Sequence, residues 1–184
     1  MATRPKAKAA PASSGKSSVR SAPAKVSAQA SGAASRALGC HDFEDARQLL
    51  SRYCMLIDEG RLLDLSELFH RNALFSVSFD SVKSHIGRAA ILAWYTRFFR
   101  ERPGKVGFPR HKLFEPCITA NGSTLIAASY FDSDFVEASG AVRILAGRYD
   151  DVLVKERGRW FFKQRTITIH HHYSPGQAQP GMAL

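Results

Sequence analysis

The feature that most constrains this chain is a change of hydrophobic period part-way along it. Between Asp42 and Arg100 apolar residues recur at helical spacing, and after Arg110 they alternate as in strands. Phe43, Ala46, Leu50, Tyr53, Cys54 and Ile57 form one stripe, with His41 or Asp42 placed to cap it and Gly60 to end it. Leu62, Leu65, Leu68 and Phe69 suggest a short second helix, Asn72–Phe79 a strand and Ser84–Gly87 a turn. Residues 88–100 carry the apolar content of a third helix. Arg110–Thr119, Thr124–Ala138, Val142–Lys155 and Arg159–His170 read as four long strands, turning at Asn121-Gly122, Ser139-Gly140 and Arg157-Gly158. Helices followed by an antiparallel meander predict an α+β domain. A strongly curved sheet with the helices packed on one face would enclose an apolar cavity, where a ligand binds.

Charge divides the chain differently. Seven of its 26 basic residues, and none of its 16 acidic ones, lie in residues 1–40, so the rest carries an excess of only +3. That Ala-, Ser-, Lys- and Pro-rich stretch has no aromatic residue and cannot bury enough apolar area to offset its ordering entropy, so it is expected to be disordered. It can be a solvated extension, an organelle-targeting segment, or an arm for nucleic acid or an anionic surface. The lack of interleaved aromatics counts against single-strand binding. Residues 41–173 form the expected domain, and 174–184 a flexible end. No apolar run approaches the ~20 residues of a membrane-spanning helix, and the first residues lack the apolar centre of a signal peptide. Three scattered cysteines exclude a disulfide framework and a Cys-x-x-Cys zinc site. A cytoplasmic protein is the expectation.

Four residues stand out as candidates for chemistry. Asp58 lies one residue beyond the first apolar stripe, where it either projects into a cavity or is solvated beside Glu59. His111, near the start of a strand, shares a face with Leu113 and Cys117 by alternation. Alone it reads as a core histidine, but a carboxylate such as Asp58 would fix its tautomer and make it a general base near neutral pH. Arg165 falls on one face with Phe161, Ile167 and Ile169, and needs an anion: Asp150 or Asp151 next door, or a ligand. Tyr53 can donate its hydroxyl to a substrate oxygen or simply fill core. His170-His171-His172 cannot ligate one metal ion in extended form, since successive side chains alternate. Phosphate-loop and Gly-x-Ser-x-Gly patterns are absent, so neither metal nor cofactor is expected.

Residues 42–173 resemble SnoaL-like domains of the nuclear transport factor 2-like superfamily. The resemblance runs through Ala46–Asp58, Leu68-Phe69, Asn72-Ala73, Gly87–Ile91, Arg110-His111, Ala128–Tyr130, Gly147–Asp150, Gly158–Trp160 and Arg165. It implies a cone of curved antiparallel sheet closed by about three helices. It also implies that Asp58 and His111 match the Asp–His pair of the superfamily's dehydratases and dehydrochlorinase, with Arg165 and Tyr53 as further catalytic positions. A cofactor-independent lyase or isomerase acting on a small hydrophobic cyclic substrate follows. The alternative is a non-catalytic binding or oligomerisation module, like the small subunits of ring-hydroxylating dioxygenases. Either would be a homodimer through the sheet face.

Overall fold

The computed structural model describes residues 38–101 and 107–177. The expectations for the basic stretch up to residue 37 and for residues 178–184 lie outside that range. Helix α1 spans Cys40–Asp58, two residues earlier than its stripe suggested. Gly39, rather than His41 or Asp42, caps it: the Gly39 N–H donates to the Asp42 carboxylate at 2.9 Å. Asp42 also accepts from Lys155 at 2.6 Å and from the Trp160 indole at 3.2 Å, pinning the start of α1 to the sheet. Helix α2 is the single turn Leu62–Ser66, and α3 spans Arg88–Glu101.

Seven strands follow the expected class: β1 Phe69–Val77, β2 His85–Ile86, β3 Gly107–Leu113, β4 Cys117–Asn121, β5 Thr124–Val136, β6 Ala141–Glu156 and β7 Arg159–Gln177. They form a curved sheet in the order β2-β1-β7-β6-β5-β3, with β4 also paired to β5. Three features depart from the expected meander. Ser84–Gly87 contains β2, which pairs with β1. The strand expected over Arg110–Thr119 is two strands, interrupted at 114–116, where Pro116 has no N–H for a ladder. The break leaves Cys117 exposed, so it does not share the face of His111. Finally, β1 runs parallel to β7, while the remaining pairs among the described residues are antiparallel.

Curvature comes largely from β7, which runs to Gln177, past the expected boundary. Its register against β6 shifts three times, and each extra residue bends a strand and increases its twist. One shift skips Lys163, so Phe162 rather than Phe161 joins Arg165 on the inner face. Another skips His170, so the three consecutive histidines do not alternate simply: His170 meets the Tyr130 ring and His171 the Tyr173 ring. Inside the curve, Leu50 and Tyr53 of α1 are fully buried against the sheet, together with Phe69, Phe75 and Phe162. Emptying one such position typically costs about 2–5 kcal/mol. This core seats α1 so that its last residue, Asp58, reaches β3.

Candidate active site

The end of α1 is an unfavourable place for a carboxylate, because the helix dipole presents partial negative charge there. Two donors from one residue offset this. The Asp58 carboxylate accepts the His111 backbone N–H at 2.8 Å and faces the His111 imidazole Nδ1 at 2.5 Å. With Asp58 ionised, Nδ1 carries the proton and donates, which leaves Nε2 with a lone pair. Nε2 has no hydrogen-bond partner among the described residues, and the His111 ring lines a cavity of about 290 Å³. Strand β3 is held in place beside this contact. Arg110 and Lys112, the outward neighbours of His111, both reach Asp134, at 2.5 and 3.3 Å.

The cavity wall is largely aromatic. Phe131 and Tyr149 stack in parallel with centroids 4.1 Å apart, and His111 lies 6.1 Å from the Phe131 ring. Across the cavity, Tyr53 and Tyr95 share a 2.6 Å hydrogen bond between their hydroxyls. One hydroxyl uses its proton in that bond; the other keeps its proton available for a ligand oxygen. Burial pushes the Tyr53 hydroxyl up to about 12, against opposing effects of Arg165 and of the Tyr95 hydrogen bond. Tyr95 is likewise pushed well up, first by burial. Both therefore stay neutral donors at physiological pH. Polar groups at the cavity include Ser133, the register partner of His111, and Glu137, paired with Arg143 at 2.8 Å.

Arg165 is not part of this lining. Its guanidinium forms a two-point ion pair with Asp151, Nε to Oδ1 at 2.8 Å and Nη2 to Oδ2 at 2.7 Å, and both side chains are essentially inaccessible. The rings of Tyr53, Phe162 and Tyr149 surround it at 3.9, 4.0 and 4.4 Å. Of the two carboxylates the sequence offered, Asp151 is the partner; Asp150 pairs with Arg148 on the outer face. The structure thus joins Asp58 to His111 and Tyr53 to the cavity, and puts Arg165 behind Tyr53. Asp58 also stands behind its partner, outside the lining. Tyr95, Ser133 and Glu137 went unremarked in the sequence. Tyr95 looked like one more apolar residue of α3, and Ser133 becomes visible only once β5 is registered against His111.

A model of the SnoaL-like domain matches residues 40–166, more than two thirds of the chain. The chain belongs to the SnoaL-like family. Among curated proteins no sequence match was found. Solved structures share the fold of this SnoaL-like domain at low identity. LinA is 11% identical with a TM-score of 0.66, the match covering 77% of this chain and 95% of that one. A scytalone dehydratase candidate from Novosphingobium aromaticivorans is 18% identical, with a TM-score of 0.63 and coverage of 78% and 96%. A Catenulispora acidiphila protein in complex with S-DNPA is 22% identical, with a TM-score of 0.62 and coverage of 71% and 95%. The SnoaL-like domain therefore has the nuclear transport factor 2-like fold. No helix among its described residues is long and apolar enough to cross a membrane.

Proposed function

We propose that this protein is a cofactor-independent lyase or isomerase acting on a small, hydrophobic, cyclic compound that carries an oxygen substituent. The observation that carries this reading is the His111 imidazole, held by Asp58 through Nδ1, with no partner for Nε2 among the described residues and the ring lining an aromatic cavity. Nε2 takes a proton from a substrate carbon, and Asp58 balances the imidazolium that results. The electron pair of the broken C–H bond then expels a hydroxide or halide from the adjacent carbon, or moves into an enol and allows the proton to return elsewhere. Of the hydrogen-bonded Tyr53 and Tyr95 hydroxyls, the one whose proton is not used in their mutual bond donates to the substrate oxygen where negative charge develops. General base catalysis of this kind typically contributes ~10²–10⁴-fold. Flat rings on the cavity walls favour a flat or cyclic ligand. Arg165 acts as a positioning residue, holding the Tyr53 and Tyr149 rings rather than meeting substrate.

The test is to incubate the purified protein with panels of cyclic hydroxy, keto and halogenated compounds in D₂O. Elimination and deuterium uptake at carbon are followed together. Turnover that is lost in His111→Ala and Asp58→Asn is the expected result. Full activity in both variants would overturn the mechanism. A panel that binds in the cavity without turnover or exchange would instead support the non-catalytic module.

We also infer a homodimer formed through the outer face of the sheet, where Tyr130 and Tyr173 are exposed. Light scattering is expected to give twice the 20.3 kDa chain mass; a monomer at all concentrations would contradict it.

A further inference from the structure

A second concave site lies at the β6–β7 turn and shares no lining residue with the aromatic cavity. It is an open cleft of about 350 Å³ between β1, the start of α3 and that turn. Arg71, Arg88, Arg157 and Arg159 all line it, against one carboxylate, Glu156. Lys163 adds a fifth cation, its ammonium 3.4 Å from His70 Nδ1, and Glu67 a second carboxylate, 2.6 Å from Arg88. Five fixed cations therefore face two carboxylates. Arg71 and Arg157 have neither a hydrogen bond nor an ion pair to any other described side chain. Arg88, by contrast, is locked by Glu67 and by two hydrogen bonds to the Phe69 carbonyl, at 3.1 and 2.8 Å.

We propose that this cleft binds the phosphate end of a small phosphorylated molecule. Unpaired guanidinium groups offer planar pairs of donors that match phosphate oxygens. The excess of three positive charges suits a phosphoryl or diphosphoryl group better than a single carboxylate. The local backbone supports the same arrangement. Arg157 and Gly158 both have positive φ, 50° and 80°, as in a tight hairpin turn that normally takes Asn-Gly. Here the strained position carries an arginine, which adds its charge at the edge of the cleft. His70, inside the cleft, senses the field. Its Nδ1 accepts the Asn72 N–H at 3.1 Å, and its Nε2 faces Glu156 at 3.4 Å. Its pKa is lowered, first by burial and then by Lys163, with Arg71 and Arg88 adding to the effect and Glu156 opposing it. A bound phosphate neutralises those cations and reverses that part of the shift.

The experiment is an NMR titration of the full chain with inorganic pyrophosphate at near-physiological salt, following the His70 and His111 ring resonances. A saturable change at His70, an upward shift of its pKa and a still His111 are expected. Arg71→Gln combined with Arg159→Gln should weaken binding by about tenfold or more. An unmoved His70 overturns the proposal, as does a response at His111 instead, which would place the ligand in the aromatic cavity. Undiminished affinity in the double variant overturns it as well. A His70 response to duplex DNA but not to pyrophosphate would mean a polymer site and equally overturn it.

Discussion

Asp58 and His111 are 53 residues apart in sequence, yet one carboxylate receives both the backbone N–H and the ring Nδ1 of the histidine. This double contact sets the rotamer and the tautomer of His111 together. It also couples the end of α1 to the later half of β3. On the proposed reading, a ligand in the cavity meets the Nε2 side of this imidazole, and Asp58 behind the ring balances the imidazolium formed once Nε2 takes a proton.

Replacing Asp58 by Asn keeps the size but removes the charge, and an amide oxygen can accept from one of the two His111 donors while its NH2, itself a donor, is turned toward the other. On the proposed reading, kcat on an identified substrate falls by ~10²–10⁴-fold, the range expected of general base catalysis, while KM changes little. Steady-state kinetics on Asp58→Asn checks this, with circular dichroism to verify the fold.

The Arg165–Asp151 pair predicts an asymmetric stability cycle. Arg165→Met leaves a buried, unpaired carboxylate and should cost about 3–5 kcal/mol. Adding Asp151→Leu removes that charge and should recover much of the loss, because the pair itself was desolvated at high cost. Urea denaturation of the two single variants and the double variant measures the cycle.

Gly147 sits where β6 passes close to β7 and the Phe131 ring. A Cβ there would press on the Thr168 carbonyl and approach Phe131 Cε1 to 2.8 Å. Gly147→Ala should therefore destabilise by about 1–3 kcal/mol, the usual cost of overpacking. It should also disturb the Phe131–Tyr149 stack that forms part of the cavity wall. Thermal unfolding and near-UV circular dichroism report both effects.

The Asp42 carboxyl, held by Lys155, the Gly39 N–H and Trp160, has its pKa lowered from 3.8 to about 2. A carboxyl depressed on folding contributes stability that is fully present above its unfolded pKa and lost as pH falls through the folded one. Stability should thus decline between about pH 4 and pH 2, and Asp42→Asn should flatten that part of the curve. Denaturation midpoints measured across this window test the sign.

Much of this architecture was legible in the sequence because each element announced itself locally. The stripe from Phe43 to Ile57 marks α1, and the paired Gly turns mark the later strands. Asp58 and His111 were visible because each is a polar residue at the edge of an apolar pattern; carboxylate–imidazole chemistry suggested pairing them, and the family resemblance implied the same pair. What stayed hidden depends on register. The extra residue at Lys163 moves Arg165 onto the face of Phe162, away from Phe161, and alternation alone cannot show a bulge. The same holds for the parallel pairing of β1 with β7, a long-range choice that no local signal encodes. Tyr95 was unreadable for a different reason: a buried helix tyrosine looks like core until its hydroxyl meets that of Tyr53.

The proposed chemistry requires that His111 present an unprotonated Nε2 to the cavity. Long-range ¹H–¹⁵N NMR on the ¹⁵N-histidine-labelled protein at neutral pH reads this directly. The Nδ1–H form of His111 is expected, with a free Nε2 whose resonance shifts when a small cyclic ketone is added. A His111 found protonated at Nε2 with Nδ1 bare, or one that ignores every cavity ligand, would contradict it.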